Sequence, residues 1–370
     1  MARILTAGNE FGHYEGDGFT IYRGPVTTSR NQPFGPTSPQ RAVGDWYFYL
    51  TDDTGLEYSF ATSHPSGVDE FYLRCHMYFG GRTDGTWEAM RFEAANDALI
   101  LRFGTIDGGS GTNNAGYFRP GFYAPTGTTS FLDAVNVYRN HWWHLVEMYI
   151  KFGASGRIKL WMNDRLEADW SGSLVGGGAE TEMTFFRLSY DKITGGGASY
   201  RGYDNIAIND LTGPINNHRI GNGWVLPLRP VGNGTTSQLT NTFGNSTDNF
   251  KFINKPTIYN PSGLVGTSTP NDKDTYVLPS LTNEFRGVNS IKVGAHGVRN
   301  GASITKAKML LKPPAQAEID SPTGAGVGVA LPVGSLEYFS QDIESNPNTG
   351  NEPFTKAELD GMEAGIQFIA

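Results

Sequence analysis

Residues 141–170 show the most regular alternation of hydrophobic and polar positions in the chain. One face of an extended strand would carry Trp142, His144, Val146, Met148, Ile150 and Phe152. The opposite face would carry His141, Trp143, Leu145, Glu147, Tyr149 and Lys151. After a glycine-containing break the apolar face resumes at Ile158, Leu160 and Met162, and Asn163-Asp164 supplies a turn before Leu166. The pattern predicts a β-meander with one apolar side.

Shorter runs of the same kind divide the chain into regions. The pattern predicts strands in a first domain, residues 46–212, at Trp46–Leu50, Phe71–Phe79, Trp87–Phe92, Ala98–Phe103, Thr184–Tyr190 and Tyr203–Ile208. It predicts further strands in a smaller second domain, residues 239–370, at Thr275–Val277, Val288–Val293, Ser303–Leu311, Ala325–Val333 and Leu336–Phe339. Residues 1–45 are rich in Gly, Pro, Ser and Thr and indicate an arm or extended segment, and residues 213–238 indicate a linker of turns.

A helix signal occurs near the C-terminus. Thr355 and Glu358 have the spacing of a capping box, in which each side chain binds the backbone N–H of the other residue. Leu359, Met362 and Ile366 then recur at helical spacing. We expect a helix of about two to three turns here, with Gly365 near its C-terminal cap.

Composition supports an all-β protein. The chain of 370 residues contains 48 Gly and 20 Pro, which favours many short strands joined by turns. The formal net charge of −8, without clusters of Lys and Arg, argues against nucleic-acid binding. No apolar run reaches the length of a membrane span, and the opening MARILTAG lacks the apolar core of a signal peptide. We therefore expect no membrane insertion.

Several stretches then resemble a known family. The block WWHLVEMYIKFGASGRIKLWMNDRLEADWSG, followed by YRGYDNIAIND, resembles the concanavalin-A-like, laminin-G-type jelly roll. DLTGPINNHRIGNGWVLPLRPVGNGTTSQLT and NPNTGNEPFTKAELDGMEAGIQ are similar to segments of tailed-bacteriophage virion proteins, in which a jelly roll joins a second β domain. The resemblance implies an antiparallel jelly-roll sandwich followed by a smaller β domain with a short C-terminal helix.

Catalytic motifs are weak. Jelly-roll glucanases resemble one another in a strand with three carboxylates at alternate positions, and this chain offers only Glu167 and Asp169 in that arrangement. His141 and His144 fall on opposite faces of one strand, where they cannot chelate one metal together, and His144 fits a hydrogen-bonded core residue. Cys75 lies between strand-like neighbours and fits an inert core thiol. We therefore expect no enzyme, no catalytic residue and no cofactor.

Calcium is the remaining metal to weigh, because laminin-G-type sandwiches often hold it at a loop rim. Asp52-Asp53 and Asn271-Asp272-Lys273-Asp274 provide oxygen ligands, but neither has the spacing of an EF-hand. Solvated turns explain both runs better, so the sequence predicts no metal site.

Aromatic side chains are the remaining functional signal. Trp143, Tyr149 and Trp161 lie opposite the apolar faces of the meander, where they could contact a sugar or a protein. The alternative is that they pack beneath the N-terminal arm or a loop.

Two functions remain open. The resemblance implies a non-enzymatic virion protein that decorates a phage head, neck or tail, assembled in the bacterial cytoplasm. Its partners would be other virion proteins and further copies of itself, for example in a cyclic trimer. The alternative is a receptor-binding module that recognises host glycans. A glycan-cleaving enzyme is a third and weaker hypothesis.

Overall fold

The structure is a computed structural model of the full chain. It describes residues 3–7, 20–23, 27–30, 46–51, 54–60, 64–81, 85–96, 98–107, 117–125, 127, 129–176, 180–189, 192–195, 199–212, 216–223, 225–226, 228–253, 264–281, 288–299, 301–322, 327–334 and 337–370. The chain divides into two compact units, Met1–Leu226 and Pro227–Ala370. In the described part of the chain, no helix has the length and apolar character needed to cross a membrane.

The described residues of the first unit form seventeen strands. They are β1 (Arg3–Ala7), β2 (Thr20–Arg23), β3 (Thr27–Arg30), β4 (Trp46–Thr51), β5 (Gly55–Ser59), β6 (Glu70–Gly81), β7 (Gly85–Glu93), β8 (Leu99–Asp107), β9 (Tyr117–Tyr123), β10 (Ser130–Asp133), β11 (Tyr138–Arg139), β12 (Trp142–Lys151), β13 (Gly153–Met162), β14 (Arg165–Leu174), β15 (Phe185–Ser189), β16 (Lys192–Gly195) and β17 (Ser199–Asp210).

These strands form two antiparallel sheets. The eight-stranded sheet has the order β14-β13-β12-β6-β17-β4-β3, with β1 also paired to β17. The nine-stranded sheet has the order β10-β9-β8-β7-β15-β5-β2, with β11 paired to β9 and β16 to β7. One apolar core draws side chains from both sheets, as in a β-sandwich. The predicted all-β, antiparallel jelly-roll class is confirmed.

The predicted meander is strands β12, β13 and β14. Val146, Met148 and Ile150 have no exposed surface and belong to the core, as the alternation indicated. Asn163 and Asp164 both have positive φ, 53° and 67°, which suits a two-residue hairpin turn. His144 is buried, and its Nε2 lies 2.8 Å from the carbonyl oxygen of Arg139.

Residues 1–45 are described in part. The described segments are strands β1, β2 and β3, and these pair with β17, β5 and β4 respectively. The predicted arm otherwise lies outside the described residues, as do Asp52 and Asp53.

The second unit is also built mainly of strands. They are β18 (Gly232–Ser237), β19 (Thr240–Asn241), β20 (Val265–Gly266), β21 (Lys273–Val277), β22 (Ile291–Gly297), β23 (Lys306–Lys312), β24 (Ile319–Ser321), β25 (Val329–Ala330), β26 (Glu337–Ile343) and β27 (Glu363–Ile369). Its described residues also form two one-turn helices, α1 (Phe250–Ile253) and α2 (Lys356–Leu359), and a 3₁₀ turn at Pro347–Thr349. The main sheet has the order β18-β21-β27-β23-β24, with β25 paired to β23.

The C-terminal helix is shorter than predicted. The capping box of Thr355 and Glu358 is present, but α2 ends at Leu359. Residues from Glu363 onward form β27, which lies between β21 and β23. Gly365 is therefore a strand residue and not a helix cap. Hydrogen bonding along both edges of β27 outweighs the helix preference indicated by apolar residues three and four positions apart.

Candidate functional site: a tyrosine shelf on the eight-stranded sheet

The outer face of β6, β12 and β13 carries the side chains that point away from the core. Across β6 and β12, Tyr72 opposes Tyr149 and Glu70 opposes Lys151. On the other side of β12, Tyr149 opposes Lys159. The period of two residues in all three strands places these side chains in neighbouring rows on one face.

A segment from later in the chain closes one part of this face. The segment, residues 216–223 together with 225–226, is called the covering segment below. Arg219 Nε donates to Glu147 Oε2 at 2.9 Å, and the backbone N–H of Gly221 donates to Glu147 Oε1 at 2.6 Å. The backbone N–H of Val225 donates to Asn205 Oδ1 at 2.6 Å. These contacts fix the covering segment against β12 and β17.

Charged groups are buried in this closed part of the face. Glu147 is 2% exposed and Arg74, opposite it on β6, is 4% exposed. His76 is also buried. Its pKa is lowered to about 3, mainly by the loss of solvation on burial and to a smaller extent by the positive charge of Arg74. Buried charges need partners, and Arg219 supplies one for Glu147.

The three predicted contact aromatics have different positions. Trp143 is only 6% exposed and packs against Tyr78 with ring centres 5.6 Å apart, so the expected surface position is wrong for this residue. Trp161 is half-buried, with the Arg219 guanidinium 5.0 Å from its ring centre. Tyr149 is half-buried and lies two residues after Glu147 along β12, on the same face of the sheet. Its role in a contact stays a prediction.

The open part of the face is called the tyrosine shelf, defined by Tyr72 and Tyr149 and their charged neighbours. The two rings lie 5.0 Å apart at an interplanar angle of 45°. The Tyr149 hydroxyl donates to Glu70 Oε1, and Lys151 Nζ lies 2.9 Å from Glu70 Oε2. Burial alone would raise the pKa of Glu70, but these two hydrogen bonds outweigh it and lower the pKa. The Glu70 carboxylate is therefore ionised at neutral pH.

A second ion-pair group borders the shelf on β13 and β14. Arg157 makes a bidentate pair with Asp169, with N···O distances of 3.0 and 2.9 Å. Lys159 Nζ lies 3.7 Å from the same carboxylate. The hydrogen bond from Arg157 lowers the pKa of Asp169. The shelf thus combines two aromatic rings with ionised groups of both signs.

The nine-stranded sheet carries a different polar arrangement on its outer face. Acidic and arginine side chains alternate there in an ion-pair ladder that consists, in spatial order, of Glu57, Arg187, Glu93, Arg91, Glu88 and Arg102. Arg187 Nε donates to Glu57 Oε2 at 2.6 Å, and Arg187 also pairs with Glu93. Arg102 lies 3.9 Å from Glu88 and donates to the carbonyl oxygen of Ala124 at 2.8 Å.

Burial separates the ladder from the shelf. Glu88 has no exposed surface, and Glu93 and Arg187 are 2% and 5% exposed. Burial also lowers the pKa of Arg102. A ligand in solution cannot reach buried side chains, so the ladder is better explained as a structural network than as a binding surface.

The weaker sequence candidates do not converge on a site. Glu167 is the extra residue of a bulge between β13 and β14, is 1% exposed and accepts hydrogen bonds from Asn136. Asp169 is instead paired with Arg157 at the surface. Cys75 is fully buried, and burial raises the pKa of its thiol, as expected for an inert core residue.

The carboxylates of the second unit that were weighed as calcium ligands and not assigned to a metal site have protein partners. Asp274 is fully buried and accepts hydrogen bonds from the backbone N–H groups of Gln238 and Leu239, from Asn249 Nδ2 and from the Tyr276 hydroxyl. Asp272 accepts from the Thr267 hydroxyl at 2.6 Å. Among the residues that the structure describes, no group of three or more His, Cys, Asp or Glu side chains is arranged to hold a metal ion.

Comparisons with known proteins give likenesses of fold at low similarity. The carbohydrate esterase of Shiga toxin-encoding bacteriophage phi24B is 14% identical, with 56% of this chain and 97% of that chain covered and a TM-score of 0.38. Alginate lyase Aly36B is 14% identical, with 56% and 96% covered and a TM-score of 0.32. The endo-β-1,4-glucuronan lyase of the fungus Trichoderma reesei is 14% identical, with 56% and 95% covered and a TM-score of 0.34. No family model and no curated protein matches the sequence.

These likenesses contradict the expectation that the chain is not an enzyme. Two of the three proteins are named as lyases and one as a carbohydrate esterase. The absence of familiar motifs was an insufficient reason to exclude an enzyme. At this similarity the likenesses assign no role to any residue of the chain.

Sequence reasoning missed Tyr72 and the charged neighbours of Tyr149. The signal was present, because FYLRCHMYF alternates and places Tyr72, Arg74, His76 and Tyr78 on one face. The alternation does not show that β6 pairs with β12, and it is this pairing that brings Tyr72 beside Tyr149.

Proposed function

We propose that this chain is an accessory protein of a tailed-phage virion whose first unit binds glycans of the host surface at the tyrosine shelf. The observation that carries the glycan-binding part is the half-buried pair of Tyr72 and Tyr149, with ring centres 5.0 Å apart. The virion part is supported by the resemblance of residues 210–240 and 346–367 to phage virion segments.

The shelf has the physical character of a sugar-binding surface. Tyrosine offers a rigid apolar ring with a polar tip, and it loses little conformational entropy on binding. The pairing of Tyr149 with Glu70 and the contact with Tyr72 hold that ring in place before any ligand arrives. Charged groups at the border provide hydrogen-bond donors and acceptors for sugar hydroxyls.

A glycan array tests the binding function. The purified full chain should bind a subset of bacterial surface glycans, and Tyr149→Ala or Tyr72→Ala should weaken that binding by about tenfold, as expected from the loss of one stacking ring. Tyr117→Ala is a matched control, because Tyr117 is 39% exposed but lies on β9 of the other sheet. An array without signal, or an equal loss in all three variants, would rule out the shelf as the site.

Virion membership needs a separate test. Mass spectrometry of purified particles should detect the chain at a fixed copy number, and immunogold labelling should locate it on the head, neck or tail. Light scattering of the isolated protein tests self-association. A chain that never copurifies with particles would contradict the virion part of the proposal and leave the glycan part standing.

A further inference from the structure

The covering segment is attached to the sheet by polar contacts. Its anchors are hydrogen bonds from Arg219 and the backbone N–H of Gly221 to Glu147, and from the backbone N–H of Val225 to Asn205. Among its described residues, no apolar side chain is fully buried. Parts of a protein with few buried apolar contacts open locally at a lower free energy than the core. The covering segment can therefore detach while the sandwich stays folded.

The covered part of the face continues the tyrosine shelf. Glu147 opposes Arg74 across β6 and β12, and it opposes Trp161 across β12 and β13. This row lies two residues along the strands from the row of the shelf, a step of about 7 Å. A Cβ at Gly223 would overlap Nη1 of Arg74, so the covering segment passes directly over this row. Detachment would return the charges of Arg74 and Glu147 to water, which offsets part of the lost contacts.

His76 lies in the same covered part and has an unsatisfied ring atom. It follows Arg74 by two residues on β6, and Asp204 opposes it on β17. The residue after Asp204 is Asn205, which binds the covering segment. His76 is 1% exposed, and within the described part of the chain its Nδ1 has no hydrogen-bond partner. A buried polar atom without a partner costs free energy, and a ligand hydroxyl would remove that cost.

Trp161 is covered by a group that a sugar ring could replace. The Arg219 guanidinium lies 5.0 Å from the centre of the Trp161 ring, a cation–π contact that depends on the covering segment being in place. Detachment of the segment would free this ring beside the shelf. A rigid aromatic face with hydrogen-bonding groups around it is the same combination that the shelf offers.

We propose that the covering segment is a lid over a second part of the glycan-binding face, and this inference rests on the glycan-binding function proposed above. When the lid opens, Trp161, Glu147, Arg74 and His76 bind the sugar units that follow those on the shelf. Monosaccharides and disaccharides use the shelf alone, whereas longer oligosaccharides gain contacts from the open lid. A lid that opens more readily therefore raises the affinity for longer chains only.

Histidine modification tests the lid without any glycan. Diethyl pyrocarbonate at neutral pH modifies accessible histidines, and mass spectrometry of the full chain measures the rate at each one. His76 should react faster than His144, which is 4% exposed on the core-facing side of β12. Arg219→Met should raise the rate at His76 by about thirtyfold, because it weakens the closed lid.

Arg187→Met is the matched control, because Arg187 lies in the other sheet and its loss destabilises the whole unit without touching the lid. It should raise the rate at His144 and leave the rate at His76 unchanged. If Arg187→Met raises both rates by the same factor, His76 becomes accessible only when the unit unfolds, and the lid is overturned. An unchanged rate at His76 in Arg219→Met has the same meaning.

The glycan array described above, repeated with Arg219→Met, tests the ligand. The half-saturating protein concentration should fall about tenfold for longer oligosaccharides and stay the same for monosaccharides and disaccharides of the same sugar. Trp161→Ala added to Arg219→Met should remove most of this gain. An equal change for short and long chains, or no gain, overturns the inference and leaves the shelf as the binding site. If no arrayed glycan binds either protein, the proposed function fails and the ligand assigned to the lid site fails with it.

Discussion

The guanidinium of Arg219 lies over the ring of Trp161, with the central carbon 5.0 Å from the ring centre. The same guanidinium pairs with Glu147 on the neighbouring strand and with Asp164 in the hairpin turn, at 2.8 Å from Asp164 Oδ1. Arg219 thus fastens the covering segment to the sheet and limits the open part of the face to the tyrosine shelf.

Removal of Arg219 should therefore destabilise the first unit. In Arg219→Met, the Glu147 carboxylate stays buried and keeps the Gly221 N–H but loses its ionic partner. We expect the free energy of unfolding to fall by about 2 kcal/mol. Urea denaturation measures it, with Lys251→Met as the control for an exposed pair. A loss no larger than that of the control would contradict the role of Arg219.

The ion-pair ladder should be far more sensitive than the ion pairs of the shelf. Arg187→Met leaves the carboxylates of Glu93 and Glu57 without the arginine they share, and Glu93 is buried. We expect a loss of about 3 kcal/mol. Arg157→Met breaks an exposed pair and should cost less than about 1 kcal/mol. Chemical denaturation measures both losses. Equal losses in the two variants would show that burial does not make the ladder more important for stability than the ion pairs of the shelf.

The hairpin turn should depend on Asn163 in particular. Asn163 has φ of 53°, and its Oδ1 accepts from the Leu145 N–H at 3.0 Å. Asn163→Ala keeps the unfavourable φ and loses this hydrogen bond, so we expect a loss of about 2 kcal/mol. Asn163→Gly also loses the hydrogen bond but adopts the positive φ without strain, so its loss of unfolding free energy should be smaller. If the alanine variant is as stable as the glycine variant in thermal unfolding, the turn does not constrain the meander.

Acidification between pH 6.5 and pH 4 should destabilise the fold through His144. Burial lowers the pKa of His144 to about 4, from an ordinary value of 6.5 in the unfolded chain. The unfolded state therefore binds the proton first, and stability is complete above pH 6.5 and falls as the pH drops toward 4. The slope is about 1.4 kcal/mol per pH unit for one such group.

Denaturation over this pH range measures the effect, and His144→Gln should flatten the profile. His76, whose pKa is lowered to about 3 by burial, contributes in the same direction. The acidic groups with lowered pKa values lose their contribution mainly below pH 4.5, which separates them from the histidines. An unchanged profile in His144→Gln would contradict this assignment.

Strand β27 should not tolerate a side chain at Gly365. A Cβ there would lie 2.1 Å from the carbonyl oxygen of Asp274 on the adjacent strand β21. We expect Gly365→Ala to lower the melting temperature of the second unit, because either β27 or β21 must move. Gly301→Ala, where the Cβ meets nothing within 4 Å, is the control. Equal melting temperatures of the two variants would show that β27 can shift freely.

The sequence by itself determined the elements with a strong local period. The alternation of residues 141–152 and the Asn163-Asp164 pair were sufficient to predict β12, β13 and their turn, because side-chain direction and turn conformation depend on neighbouring residues. The capping box of Thr355 and Glu358 was likewise local and is present.

Tertiary structure decided what those elements do. The burial of Trp143, the closure of the face by Arg219 and the pairing of Tyr72 with Tyr149 depend on contacts between residues distant in sequence. Residues 363–369 form a strand because β21 and β23 pair with this segment on its two edges. A periodic pattern states which side chains share a face, but only packing determines whether that face is covered, and exposure is what a binding site requires.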